Sequence, residues 1–179
     1  MRRTGRHIGI LVAALILLLV PGEASSWIQD PKKIAAQRER FARETDPVQK
    51  ARRFPPLGEE LMKLVHQQVR AEQYEAALRT LEEYYELART AFTGLENSGR
   101  NAERQSSGFR QLQIHLRRSL RDLEQTILAL PVPQRGPFEA IREQLEQMNQ
   151  RLLEMLFPHR PQPLPELPLA SRRPTGGAP

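Results

Sequence analysis

The sequence contains no cysteine and few aromatic residues. The lack of cysteine excludes disulfide bonds, thiolate metal sites, covalent haem attachment through Cys-x-x-Cys-His and a lipid-anchored N-terminal cysteine. Aromatic residues make up only 6% of the chain, and segments with strand patterning are nearly absent. The residues that dominate instead are strong helix formers, namely Ala, Glu, Gln, Arg and Leu. We therefore predict an all-α protein with one folded domain.

The sequence also holds little that could support catalysis. Only three aspartates are present, Asp30, Asp46 and Asp122, and neither a Gly-x-Ser-x-Gly elbow nor a Ser-x-x-Lys motif occurs. The many glutamates lie in segments dense in arginine, where solvated, salt-bridged helix faces are the usual arrangement. We predict that the protein is not an enzyme.

Histidine and methionine offer few ligands for a metal or a cofactor. His66, His115 and His159 are not spaced four residues from a second ligand, which is the spacing that helical metal sites use. We therefore predict no metal site and no cofactor. The alternative is a non-covalent haem held between His115 and either Met62 or Met148. Both methionines, however, fall on apolar stripes that predict core.

Residues 1–24 are typical of a cleavable signal peptide. Three arginines precede a thirteen-residue apolar run that begins at Ile8, and small residues stand at the third and first positions before Ser25. The run is shorter than the roughly 20 apolar residues that a membrane span needs. We predict cleavage between Ala24 and Ser25, followed by release into the periplasm or the medium. An uncleaved anchor is the alternative.

The charge of the exported chain is mildly basic. Without residues 1–24 the chain keeps 24 basic and 20 acidic residues. This surplus favours weak contact with an anionic membrane or wall polymer. Export removes the protein from the cytoplasm, so nucleic acid is not an expected partner.

Residues 25–56 are predicted to form an N-terminal helical arm. Asp30-Pro31 and Asp46-Pro47 each place a capping side chain before a proline in the first helical position. Pro55-Pro56 should end the second piece, because each proline lacks an N–H donor and disfavours helix in the preceding residue. The arm would then consist of two short helices.

Residues 57–157 carry apolar stripes at helical spacing and predict an antiparallel bundle of about four helices. The pattern leaves open whether a turn near Gln73 separates the first two stripes. Asn97-Ser98-Gly99 is a signal that ends the helix before it. A polar loop follows, and the next stripe ends at Pro131. The last helix is predicted to begin at Pro137. The final two stripes are Phe109, Leu112, Leu116, Leu120, Leu123, Ile127 and Leu130, and then Phe138, Ile141, Leu145, Met148, Leu152 and Met155.

Residues 158–179 hold seven of the fifteen prolines, including the run PQPLPELP. Such a segment cannot form a core and favours extended polyproline II backbone. We predict a disordered Pro-rich tail that serves as a solvated linker, with docking to a partner as the alternative.

Five residues are candidates for partner binding. Tyr84 and Tyr85 form the densest aromatic pair, and helical geometry places one ring in the core and the other on the surface. Arg117, Arg118 and Arg121 form a basic ridge beside an apolar stripe, which could hold an anionic group or simply be a charged helix face.

The segment Leu64–Tyr84 resembles a single tetratricopeptide-type helical hairpin, because Leu64, Tyr74, Ala77 and Leu81 match the spacing of that family. No second copy follows at 34 residues, so the resemblance implies a hairpin without the concave groove of a tandem array. The chain after the leader is also similar to uncharacterised exported helical proteins of bacteria.

Together these features predict a non-enzymatic exported protein that mediates protein–protein interaction in the cell envelope, with an unidentified envelope protein or a second copy as its partner. The alternative function is a periplasmic bundle that carries haem or a small anionic molecule.

Overall fold

The structure is a computed structural model that describes residues 31–158. These residues form five α-helices, and the described region contains no strand. The helices are α1 (Pro31–Arg43), α2 (Pro47–Arg70), α3 (Tyr74–Glu96), α4 (Ser107–Ala129) and α5 (Val132–Leu156). The all-α prediction is confirmed, with five helices where the sequence predicted a bundle of about four. The predicted signal peptide (1–24) and all but the first residue of the predicted tail (158–179) lie outside the described residues.

The start of α2 follows the capping signal in the sequence. Asp46 has an extended backbone with φ −72° and ψ 122°, and its carboxylate accepts a hydrogen bond from the backbone N–H of Gln49. The two atoms lie 2.8 Å apart. This bond satisfies one of the donors that every helix N-terminus leaves free, while Pro47 in the first turn has no donor to satisfy.

The predicted break at Pro55-Pro56 is wrong, because α2 continues through both prolines to Arg70. A proline inside a helix costs about 3 kcal/mol, through a lost hydrogen bond and a steric clash. Phe54 and Leu57 flank the pair and are completely buried. Burying side chains of this size contributes roughly 1.5–3 kcal/mol each, and the rest of the α2 stripe adds to this. Tertiary packing therefore outweighs the local penalty.

The continuity of α2 also joins the predicted arm (25–56) to the predicted bundle (57–157). The boundary between them falls inside one helix. Apolar residues from both sides of that boundary belong to the same core, and on the N-terminal side these are Ile34, Phe41, Val48, Ala51 and Phe54.

A tight turn separates α2 from α3, which answers the question left open at Gln73. Glu72 has a left-handed backbone with φ 58°, and the N–H of Gln73 donates to the carbonyl of Gln68 at 2.8 Å. The predicted stop at Asn97-Ser98-Gly99 is confirmed as well. There α3 ends at Glu96, and Gly99 has φ 65°, a conformation that glycine adopts without steric cost.

Four of the helices form two hairpins that lie side by side. α2 packs against both α3 and α4, and α5 packs against both α3 and α4, whereas α3 and α4 lie diagonally and contact one another sparsely. α2 and α4 run parallel, because Val48 lies beside Gly108 and Gly58 lies beside His115. Among the other described helices, only α2 lies close to the backbone of α1. The side chain of Arg38 in α1 also reaches Glu83 of α3 and forms an ion pair with it.

The last helix begins five residues earlier than predicted, at Val132 and not at Pro137. Leu130 and Pro131 are both extended, with ψ 146° and ψ 142°, and together they make the turn between α4 and α5. Pro133 lies in the first helical turn, where a missing N–H costs nothing. Arg135 then closes the end of α4 by donating to the carbonyls of Leu130 and Leu128 at 3.0 and 3.1 Å.

The two C-terminal stripes face each other as predicted. Every member is buried except Leu120 and Met155, which are half-buried against the same core. A polar link between the helices supports the antiparallel register, because the Gln113 amide donates to Asn149 at 3.2 Å. The periodicity of these stripes thus located the contact faces of α4 and α5 correctly.

We expect Leu116→Asp to destabilise the domain by about 4 kcal/mol or more, because it leaves a cavity and buries a charge without a partner. Leu116 is completely buried, whereas Gln111 is exposed on the same helix. Gln111→Asp is therefore the control and should change stability by no more than about 0.5 kcal/mol. Chemical denaturation measures both variants, and equal stabilities would contradict the register of α4.

Candidate functional site

The structure separates the two tyrosines that the sequence singled out together. Tyr84 is completely buried, with its ring centroid 5.3 Å from that of Phe54 and 5.9 Å from that of His115. Burial raises the pKa of Tyr84 and keeps its phenol neutral. The partner-binding assignment of Tyr84 is therefore corrected, because its ring offers no surface to a partner. Tyr85 is half-buried at the edge of the core.

His115 fills the space that Gly58 leaves open between α2 and α4. A Cβ atom on Gly58 would overlap Nε2 of His115 and would lie 3.0 Å from Cε2 of Tyr84. The imidazole meets Phe54 edge-on at a centroid distance of 5.2 Å, and Ser119 Oγ lies 3.4 Å from Nε2. Burial, followed by the positive charge of Arg118, lowers the pKa of His115 to about 4. The ring is therefore neutral at physiological pH.

This packing bears on the haem alternative. The backbone of Gly58 and the hydroxyl of Ser119 close off Nε2 of His115, so an iron atom has no approach to that nitrogen in this arrangement. Met62 and Met148 are both buried within the core cluster, as expected of methionines that fill space. The residues named as haem ligands are thus engaged in helix packing.

A second histidine lies beside a polar cleft near the C-terminal ends of α2 and α4. The cleft has a volume of about 260 Å³ and is lined by His66, Val69, Arg70, Asp122, Gln125, Thr126 and Ala129. The Thr126 hydroxyl donates to the backbone carbonyl of Asp122 at 2.8 Å. Nε2 of His66 is buried and has no hydrogen-bond partner among the described residues. Burial is the main reason that the pKa of His66 is lowered, and the negative charge of Asp122 opposes it.

No hydrogen bond joins the His66 imidazole to the Asp122 carboxylate within the described region, so the cleft lacks the contact by which a carboxylate orients a catalytic imidazole. The Thr126 hydroxyl donates its proton within its own helix. Within residues 31–158, no group of three His, Cys, Asp or Glu side chains could hold a metal ion.

The three arginines of the predicted ridge are exposed on α4, and Arg110 extends their row. Arg110, Arg117 and Arg121 lie on one side of the helix, since their spacings of seven and four residues are close to whole turns, and Arg118 borders them. None of the four makes an ion pair within the described region, whereas Arg142 and Arg151 of α5 pair with Glu146 and Glu154. Arg110 escaped the sequence prediction because it lies apart from the other three.

Tyr85 belongs to a second exposed feature, a row of half-buried side chains on α3. We call Tyr74, Leu78, Tyr85 and Phe92 the aromatic flank. Their spacings of four, seven and seven residues place them on one side of the helix. All four pack against the core with one edge and leave the other edge accessible. In the sequence they looked like ordinary members of the α3 stripe, so only Tyr85 was singled out.

The length and apolar content of the described helices show whether any of them could span a membrane. Within residues 31–158, no helix carries an apolar stretch long enough to cross a bilayer.

Substituting the glycines at residues 58 and 94 tests the close contact at His115. We expect Gly58→Ala to destabilise the fold by about 2 kcal/mol, because overpacking outweighs the gain in helix propensity. Gly94→Ala is the matched control, since a Cβ there lies 3.7 Å from Pro47 in ordinary contact. It should stabilise the fold by up to about 1 kcal/mol. Thermal and chemical denaturation distinguish these results, and a Gly58→Ala protein as stable as Gly94→Ala would contradict the contact.

The lowered pKa of His115 predicts an acid-sensitive fold. Between the ordinary value of 6.5 and the folded value of about 4, the unfolded chain binds a proton that the folded chain does not. Stability is therefore full above pH 6.5 and falls as the pH drops toward 4, by about 3 kcal/mol for this group alone. Denaturation across this window measures the loss. The slope should be shallower in His115→Gln, and identical slopes would contradict the assignment to His115.

Comparisons with known proteins do not identify a family for this chain. No protein-family model matches the chain, no curated protein matches it, and no solved structure matches it either. The resemblance of Leu64–Tyr84 to a tetratricopeptide-type hairpin therefore still rests on the spacing of its residues alone. What the chain does must be inferred from its own surfaces.

Proposed function

We propose that the protein is an exported, non-enzymatic helical protein that binds another protein in the cell envelope. Its leader, residues 1–24, has the composition of a signal peptide, and cleavage between Ala24 and Ser25 would release it into the periplasm or the medium. The observation that carries the binding proposal is the aromatic flank of α3. We further propose that the Pro-rich tail, residues 158–179, is a disordered linker.

The aromatic flank has the properties of a binding surface. Tyrosine and phenylalanine are enriched where protein interfaces concentrate their binding energy, because their rings cover a large area with few rotatable bonds. Here one edge of each ring is already packed against the core, which reduces the conformational entropy lost when a partner binds. Tyr85 also carries a phenolic hydroxyl that can pair with a polar group at the edge of such an interface.

The surroundings of the flank suit a protein partner. Exposed charged residues border Tyr85 along α3, including Glu82 and the ion pair between Glu86 and Arg89, whose charged atoms lie 2.7 Å apart. A polar rim around an apolar centre is the usual anatomy of a protein interface. The spacing of four and seven residues matches the repeat by which one helix packs along another. We therefore propose a helical segment of another envelope protein as the partner.

The surroundings of the two histidines in the described region favour a binding role over a catalytic one. His115 is enclosed by helix packing, and the Ser119 hydroxyl that lies 3.4 Å from it is buried as well. Nε2 of His66 has no hydrogen-bond partner among the described residues. Neither imidazole is therefore hydrogen-bonded to a nucleophile that a substrate can reach. The enclosure of His115 also makes haem carriage the weaker proposal.

Site-specific photo-crosslinking in the native cell tests this proposal. A photoreactive phenylalanine analogue at Tyr85 should form one discrete adduct with a different envelope protein, identified by mass spectrometry, on a chain that begins at Ser25. The matched control carries the analogue at Thr90, which is exposed on another side of α3 and should give no such adduct. A self-adduct alone would replace the proposal with homodimer formation. Equal adducts from both positions, or none, would overturn it.

A further inference from the structure

The arginine row of α4 is followed by Asp122 and Glu124, two exposed acidic residues of the same helix that form no ion pair with it. We call Arg110, Arg117, Arg118 and Arg121 the arginine face. Residues 104–121 contain these four and Arg104 but not a single Asp or Glu. All four members of the face are exposed, and none forms an ion pair with a described residue. The charge of Arg118 also contributes to the lowered pKa of His115.

Seven arginines elsewhere in the described region form ion pairs. Arg100 reaches Asp46 across 54 positions of sequence at 2.6 Å, and Arg151 contacts both Glu96 and Glu154. Others, such as Arg40 and Arg79, form no ion pair with a described residue, so the arginine face is distinguished by the concentration of four unpaired guanidinium groups on one helix. An array of unpaired guanidinium groups on one helix attracts anions, and guanidinium matches phosphate oxygens with two parallel hydrogen bonds.

Exposed aliphatic side chains lie on the same side of the molecule as the arginine face. Leu128 follows Arg121 by seven residues, close to two helical turns, and 62% of its surface is exposed. Val132 begins the next helix just beyond it and is 74% exposed. Ile114 lies between Arg110 and Arg117 and is only half-buried. The surface thus carries four arginines and is apolar at one end, and the exposed carboxylate of Glu124 lies between Arg121 and Leu128.

We propose that the arginine face, together with Leu128 and Val132, binds the anionic phospholipid headgroups of a membrane surface. The arginines would contact lipid phosphates, while the two aliphatic side chains enter the boundary with the acyl chains, as on interfacial amphipathic helices. A phosphate-rich polymer would satisfy the arginines but would offer nothing to Leu128 and Val132. An acidic protein would need carboxylates placed to match arginines at unequal spacings, whereas a lipid surface supplies headgroups at every position.

This inference is independent of the aromatic flank, because it concerns another helix. α3 and α4 lie diagonally in the bundle, so the two surfaces face different directions. Loss of one activity should leave the other intact.

Vesicle co-sedimentation tests the lipid proposal. The probe is a vesicle of phosphatidylglycerol and phosphatidylcholine in equal parts, compared with one of phosphatidylcholine alone. The protein is the chain that begins at Ser25, which keeps every described residue. We expect binding to the anionic vesicle only, and a loss of about tenfold or more in the partition coefficient for Arg117→Glu with Arg121→Glu. Leu128→Ser with Val132→Ser should also weaken binding.

The matched control is Arg40→Glu with Arg79→Glu, which makes the same change in net charge at exposed arginines of α1 and α3. It should retain most of the binding, and circular dichroism should show unchanged melting for both double variants. Equal losses in the two double variants would mean that only net charge matters and would overturn the proposal. So would equal binding to neutral vesicles. Binding to soluble polyphosphate without binding to vesicles would reassign the face to a polymer.

Discussion

The parallel contact between α2 and α4 organises the whole molecule. Two glycines allow the helices to approach closely, because a Cβ on Gly108 would lie 3.1 Å from the backbone carbonyl of Val48, and one on Gly58 would overlap His115. With this pair in place, α3 packs beside α2 and α5 packs beside α4. The same contact helps to carry α2 through Pro55-Pro56, since Phe54, which precedes the prolines, is buried against His115 of α4.

That contact also places polar groups in the interior of the bundle. His115 is placed where a glycine makes room for it, and its neighbours are aromatic rings and the Ser119 hydroxyl. Burial keeps the imidazole neutral, so it stabilises the fold at neutral pH and weakens it in acid. Nε2 of His66 is also buried, without a hydrogen-bond partner among the described residues. Both imidazoles thus contribute to the packing between α2 and α4.

The two proposed surfaces differ in chemistry and in direction. The aromatic flank of α3 is rigid and amphipathic, which suits a protein partner, whereas the arginine face of α4 is basic with an aliphatic end, which suits a lipid surface. Because α3 and α4 lie diagonally, the two partners would not compete for the same residues. The arrangement would let the protein hold a membrane surface and an envelope protein at the same time.

Local sequence determined the all-α class, the Asp46 cap, the stop at Asn97-Ser98-Gly99 and the buried faces of α4 and α5, because capping and periodicity depend on neighbouring residues alone. It also showed that one ring of the Tyr84-Tyr85 pair would be buried, but only the tertiary structure decided which. The structure likewise decided that α2 passes through Pro55-Pro56. Side-chain burial by distant helices outweighs the local cost of proline, and no pattern within one segment records it.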